Sequence, residues 1–123
     1  MFVKRGLTRH LRLVCVLLAV AILLGLFGLG GQPVAVGLLP VPWDKVAHGL
    51  VFAVLAVTIG LASGLRGWRV VLLAAGAALL IGVLDEWHQV FLPGRQAGLD
   101  DLAADVVGGL AGALLLRLRG VNR

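Results

Sequence analysis

Long apolar runs separated by short polar interruptions make up most of the chain. Residues 13–31 and 46–65 carry no charge, and each run is long enough for a helix that crosses a hydrocarbon core of about 30 Å. Two later runs, 70–84 and 102–116, have fifteen residues each and are interrupted only by Asp105. Because a spanning helix needs about 17 to 25 residues, these two runs need polar neighbours to reach the required length.

The third and fourth helices therefore take polar residues into the membrane boundary. We predict that the third continues through Asp85–Gln89 to about residue 91 and that the fourth starts near Asp100. The predicted spans are 13–31, 46–65, 70–91 and 101–116, between a basic segment 1–12 and a basic tail 117–123. The fold class is all-α, a four-helix transmembrane bundle. Re-entrant third and fourth helices are the structural alternative.

Composition supports a membrane protein. Hydrophobic residues make up 60% of the chain and charged residues 14%, against about a quarter charged in soluble domains. A chain of this size cannot bury so much apolar surface in water, so a soluble globule and a disordered chain are both excluded. The first run is longer than a signal-peptide core and lacks a good cleavage site, so we predict a retained helix. The single cysteine, Cys15, excludes an internal disulfide.

Breaks between the runs fit helix boundaries. Residues 32–43 contain three prolines and form a predicted loop, after which Asp44 stands at the N-cap position of the second helix. Residues 66–69 form a predicted tight basic turn, and Pro93-Gly94 forms another turn. Asp100 is a predicted cap of the fourth helix.

Charge distribution predicts the orientation. With four spans and both termini on one side, that side has nine Lys and Arg residues and the opposite side has two, Lys45 and Arg95. The positive-inside rule therefore places both termini in the cytoplasm of a bacterial plasma-membrane protein and all six acidic residues at the outer face. Because the basic residues flank apolar segments, we expect no nucleic-acid partner.

Three polar clusters at the outer face are candidates for chemistry. They comprise Asp44, Lys45 and His48 at the start of the second helix; Asp85, Glu86, His88 and Gln89 at the end of the third; and Arg95, Asp100, Asp101 and Asp105 before and within the fourth. On each of these helices, small residues at spacings of three and four form a stripe that leads away from the cluster towards the middle of the span, which is typical of closely packed membrane helices. We expect the clusters to face one another across these stripes.

Placing an ionisable side chain inside a membrane span costs free energy, so such residues indicate a functional site. The alternative is a polar network that only stabilises the packing of the helices. Either a cation or shared protons must offset the excess of carboxylates. The outer face has no serine, cysteine or tyrosine nucleophile, and no metalloprotease or nucleotide-binding motif occurs. Acid–base chemistry and divalent-metal binding by carboxylates with His48 and His88 both stay open.

The order and spacing of these motifs resemble the VanZ-like family. The resemblance extends from about Pro42 to Gly112 through DKxxH, DExHQxxxPGR and DxxxDxxGxxxG. It implies a small bacterial plasma-membrane protein, in a family named for a protein linked to low-level resistance to teicoplanin. The family's polar positions fall on Asp44, Lys45, His48, Glu86, Gln89, Arg95, Asp101 and Asp105. This chain differs at Gln96, where the family often has Ser or Thr, and at Asp105, which is often Asn.

Two functions follow as hypotheses. In the first, the outer-face site binds or acts on a cell-envelope component, either a lipid-linked cell-wall precursor or an anionic lipid headgroup. Glu86 and His48 would be the acid–base or ligand pair, with Gln89 and Asp101 orienting them. In the second, the protein is a non-enzymatic assembly subunit whose small-residue stripes dock another membrane protein. The sequence names no metal or cofactor and leaves open whether the site is catalytic.

Overall fold

A computed structural model describes residues 2–29, 43–91 and 99–118. These residues form four α-helices: α1 (Phe2–Leu24), α2 (Trp43–Ser63), α3 (Trp68–Val90) and α4 (Leu99–Leu118). A π-helical turn, Gly25–Leu29, continues α1. Within the described ranges there is no strand, so the predicted all-α fold is confirmed.

The helices run up and down, so the bundle has two distinct ends. The acidic end contains residues 43–49, 85–91 and 99–105, and Lys45 on α2 contacts Asp101 on α4 there. The basic end contains residues 9–12, 63–69 and 116–118, and the Arg117 guanidinium lies 4.9 Å from the centre of the Trp68 ring. Each helix therefore connects the two ends, as the membrane prediction requires.

Glycine lets α4 approach both of its neighbours closely. A Cβ atom at Gly108 would overlap the backbone of Gly49 on α2, and one at Gly112 would overlap the backbone of Ala53. On the other side of α4, a Cβ at Gly109 would collide with the Ala78 side chain of α3. The small-residue stripes predicted from the sequence therefore pack α4 between α2 and α3 inside this chain.

The apolar exterior suits a lipid environment. Three helical segments are long and apolar enough to cross a membrane: Arg9–Gly28, Lys45–Ser63 and Trp68–Val90. Many large apolar side chains face outward, including Leu17, Leu72 and Leu80. The buried core is thin and built largely from small residues around Phe52 and Leu55. α4 carries three aspartates and Arg117, and it packs most extensively against α2.

α1 is the least embedded helix. It begins at Phe2, so most of the basic segment predicted at 1–12 is helical. Its buried side chains are Cys15 and Ala19, while most of its other described side chains are exposed. α1 packs mainly on α2, and the π-helical turn reaches α3.

Three predicted helix starts need correction. Trp68 and Arg69 belong to α3 rather than to the turn, because Gly64 and Gly67 adopt positive φ angles of 71° and 60° and close the connection two residues earlier. α2 begins at Trp43 and α4 at Leu99, so Asp44 and Asp100 occupy the first helical turn instead of the cap position. α3 and α4 are each one continuous helix.

Candidate functional site

Three helices bring one ionisable side chain each to a common point at the acidic end. His48 comes from α2, Asp85 from α3 and Asp105 from α4, and one ligand-type atom of each lies within 4.8 Å of the others. The Nδ1–H of His48 donates a hydrogen bond to Oδ1 of Asp105 over 3.0 Å. We call these three residues the His–Asp–Asp triad.

Asp105 is the most deeply buried member of the triad, with none of its surface exposed. Gly82 on α3 makes this burial possible, since a Cβ placed there would lie 3.2 Å from Cβ of Asp105. Oδ2 of Asp105 has no hydrogen-bond partner among the described residues. A buried carboxylate oxygen without a partner is costly, so the site is incomplete as a purely structural network.

The α3 side of the site is also buried. Asp85 is 1% exposed, and its Oδ2 accepts a hydrogen bond of 3.3 Å from Nε2 of Gln89, one helical turn later. Glu86 is buried beside them but does not belong to the triad. Gln89 therefore positions Asp85, whereas the sequence had assigned it to orient Glu86 and His48.

Lys45 bridges α2 and α4 at the outer edge of the site. Its Nζ donates a hydrogen bond of 2.5 Å to Asp101 Oδ1 and lies 3.4 Å from Asp100 Oδ2. Asp100 is exposed, and the positive charge of Lys45 lowers the pKa of its carboxyl group. Asp101 thus holds Lys45 in place, instead of orienting the predicted pair of Glu86 and His48.

His88 lies apart from the triad and contacts α1. Its ring meets Phe27 of the π-helical turn edge to face, with ring centres 5.6 Å apart. Its Nδ1 is buried without a hydrogen-bond partner in the described structure. No motif in the sequence predicted this contact, because none of the candidate site residues lies in α1.

The structure tests the predicted arrangement residue by residue. His48 pairs with Asp105 rather than with Glu86, because α4 approaches α2 closely at Gly49 and Gly108. The clusters of α2, α3 and α4 otherwise meet as the small-residue stripes predicted. Arg95 lies outside the described residues, as does the Asp44 side chain.

The arrangement combines a polarised histidine with strong negative charge. While Nδ1 is hydrogen-bonded to Asp105, Nε2 of His48 is the ring atom able to accept a proton. The described side chains of this end comprise five carboxylates and one ammonium, which leaves a formal charge of −4. His48 is the part-exposed member of the triad, with 21% of its side chain accessible.

An apolar groove lies on the outside of the bundle between α2 and α4, where the predicted orientation would expose it to lipid. It has a volume of about 350 Å³ and is lined by Ala53, Val54, Val57, Ala111, Gly112 and Leu115. On α4, Ala111 and Leu115 of the groove lie on the same helical face as Ala104 and Asp100. This face therefore extends from the groove to the contact between Asp100 and Lys45. The groove and the polar edge of the site therefore lie along one seam.

Comparison with known proteins identifies the family. No curated protein and no solved structure matches the chain. A family model described as VanZ/LLP1 matches residues 17–120, which include the second part of α1, all of α2, α3 and α4, and the whole acidic end. The predicted resemblance is thereby confirmed, and this helical membrane protein belongs to the VanZ/LLP1 family.

Proposed function

We propose that this VanZ-family protein lies in the bacterial plasma membrane and binds a phosphate-bearing envelope lipid at its acidic end, which faces outward. The ligand class is a lipid-linked cell-wall precursor or a phospholipid with a hydroxyl-rich headgroup. The observation that supports this function best is the continuity of a polar site with an apolar groove along the α2–α4 seam.

The seam has the two parts that an amphiphile needs. Asp100, near its polar edge, and Ala111, in the groove, are eleven residues apart on one helix, which corresponds to about 16 Å along the axis. An acyl or prenyl chain in the groove would thus place its headgroup beside Lys45 and Asp100. A purely polar ligand has no apolar part to bury in the groove.

The polar edge offers both kinds of hydrogen-bonding group. Lys45 supplies an ammonium group at this edge, and the backbone N–H groups at the N-termini of α2 and α4 can donate hydrogen bonds to a phosphate oxygen; in the sequence, Arg95 stands between α3 and α4. The carboxylates Asp100 and Asp101 accept hydrogen bonds from headgroup hydroxyls. A headgroup with phosphate and hydroxyls matches this set better than a choline headgroup, which has no donor.

The outward orientation rests on charge. Nine Lys and Arg residues lie on the side of the termini and two on the opposite side. The basic end, with exposed Arg9, Arg12 and Arg66, suits the cytoplasmic surface. Labelling of cysteines introduced at each end, in whole cells, would report the orientation directly.

The binding test uses purified protein in detergent with equal amounts of phosphatidylglycerol and phosphatidylcholine. We expect native mass spectrometry to show about tenfold more retained phosphatidylglycerol, since one charged hydrogen bond contributes about 1.5–3 kcal/mol. A111F fills the groove and should abolish retention of both lipids. A103F, an equal change at an exposed α4 position outside the groove, should retain both.

Equal retention of the two lipids, or unchanged retention in A111F, would contradict the proposal. A polyprenyl-phosphate-linked sugar in place of phosphatidylglycerol distinguishes a cell-wall precursor from a membrane phospholipid. The assembly-subunit alternative loses its predicted surface, because Gly60 and Gly112 are buried against side chains and backbone of this chain. Cross-linking from a cysteine at position 111 to a second membrane protein would revive it.

If the bound lipid is a cell-wall precursor, the proposal extends to a role in glycopeptide resistance. A protein that binds a lipid-linked cell-wall precursor would change the supply of that precursor to glycopeptides at the outer face. Overexpression of the wild-type protein should then alter teicoplanin susceptibility, whereas A111F should have no effect at equal membrane levels.

A further inference from the structure

We propose that the His–Asp–Asp triad is a binding site for a divalent transition-metal ion, with Zn²⁺ as the preferred ion. His48 supplies one ring nitrogen, and Asp85 and Asp105 supply one carboxylate oxygen each. This site lies inside the bundle, beneath the Lys45–Asp101 contact, and it goes beyond the proposed headgroup binding.

The geometry is close to that of a three-ligand site. Nδ1 of His48 and Oδ1 of Asp105 are 3.0 Å apart, and one ligand atom from each triad residue lies within 4.8 Å of the others. Zn²⁺ bound at about 2.1 Å from each of three ligands separates them by about 3.4 Å. The separations between ligand atoms therefore differ from those of a bound Zn²⁺ by at most about 1.4 Å.

A second observation points to a ligand in this cluster. Asp105 is completely buried, yet its Oδ2 has no hydrogen-bond partner in the described part of the chain. Gln89 satisfies one oxygen of Asp85, and no comparable side chain serves Oδ2 of Asp105. A cation bound by the triad would supply the missing positive partner and offset two of the negative charges at this end.

The ligand set selects the type of metal. An imidazole nitrogen with two carboxylates suits Zn²⁺, whereas Ca²⁺ takes six to eight oxygen ligands and Mg²⁺ keeps several of its waters. Because metal ligands must be deprotonated, Zn²⁺ replaces the proton shared between His48 and Asp105. Three protein ligands leave a fourth position open to water or to a phosphate oxygen.

The test measures metal binding by purified protein without a polyhistidine tag, in detergent and without added lipid. We expect about one Zn²⁺ per chain by elemental analysis, and a tetrahedral visible spectrum when Co²⁺ is added instead. D105N and D85N should each weaken Zn²⁺ binding at least about 100-fold, because each removes a direct ligand. Mg²⁺ should not compete at equal concentration.

D100N is the matched control, since it removes the same charge at the same end from an exposed side chain outside the triad. It should bind Zn²⁺ like the wild type, as should H10Q, which removes the exposed His10. If D105N does not fold, by circular dichroism, D85N and H48Q carry the test. Three results would overturn the proposal: no stoichiometric Zn²⁺ binding by the wild type, equal Zn²⁺ binding by the triad variants and the wild type, or an equal loss of Zn²⁺ binding in D100N. Lipid retention is measured with chelator present, so the two proposals fail separately.

Discussion

Both ends of the bundle concentrate charged side chains, but the two ends differ in how far those side chains are buried. At the acidic end, Asp85 and Asp105 are 1% and 0% exposed, and contacts join α2 to α4 through Lys45 and His48. At the basic end, Arg66 and Arg69 are exposed, and Arg117 lies against a Trp68 ring that is itself 61% exposed. Most of the described carboxylates of the acidic end are buried or part-buried, whereas Arg66 and Arg69 of the basic end are exposed.

This difference shows which charges need an explanation beyond topology. Exposed arginines at a membrane surface are accounted for by the positive-inside rule and by their flexible side chains. Buried carboxylates cost free energy in a thin, apolar bundle, and only close helix packing holds them together. The acidic end therefore combines a stability cost with a defined geometry, which is typical of a functional site.

The largest expected effect is the loss of the close approach that builds the acidic end. Gly108→Ala places a methyl group into the Gly49 backbone, so we expect a loss of about 3 kcal/mol or more in the free energy of unfolding. Denaturation in mixed micelles, followed by circular dichroism, measures this change. Zn²⁺ binding should also be lost.

Gly76→Ala is the matched control for that variant. A Cβ at Gly76 meets nothing within 4 Å, so the same substitution on α3 should leave stability unchanged or raise it by up to about 1 kcal/mol. Equal effects of the two variants would show that the α2–α4 contact does not determine the stability of the acidic end.

A smaller effect of opposite sign is expected from removing the buried charge. Asp105→Asn keeps an oxygen that accepts the His48 hydrogen bond but removes the carboxylate charge. In metal-free protein, we expect an increase of about 1–3 kcal/mol in the free energy of unfolding, because an uncompensated buried charge is lost. Arg69→Gln at the exposed basic end should change it by less than about 0.5 kcal/mol.

Thermal denaturation in one detergent, with chelator, compares these two variants. A less stable D105N protein would indicate that the carboxylate acts as a structural anchor of the polar network. In that case the buried carboxylate would not lower the stability of the protein, and the acidic end would not differ from the basic end in this respect.

The smallest expected effect is a difference in coupling free energy between the helix–helix contacts at the two ends. A double-mutant cycle with Lys45→Met and Asp101→Asn should give a coupling of about 1–2 kcal/mol, since Asp101 has only 13% of its side chain exposed. The Arg117–Trp68 pair, tested with R117Q and W68L, should give at most about 1 kcal/mol. Similar couplings would mean that burial does not distinguish the two ends.

The cycle between Lys45 and Asp100 serves as an internal control. Asp100 is exposed, so its coupling should be smaller than that of Asp101 although both carboxylates contact the same ammonium. A larger coupling for Asp100 would contradict the importance of burial at this site.

The sequence alone determined the helices and the end to which each polar residue belongs. Runs of fifteen apolar residues were too short to span, so length carried Asp85–Gln89 and Asp100–Asp105 into α3 and α4. Small residues at helical spacing also predicted which stripes pack together, as Gly108 and Gly112 do against α2. These properties depend on local composition and on the fixed period of a helix.

Only the tertiary structure decided which polar groups become partners. Helical periodicity places a side chain on a face, but the rotation and separation of neighbouring helices select its contact. The approach at Gly49 and Gly82 put Asp105 against His48 and α3, so Glu86 was not the partner of His48. The contact of Phe27 with His88 likewise depended on where α1 packs. Distances of a few ångströms between separate helices follow from the packing of all four helices, which no single segment encodes.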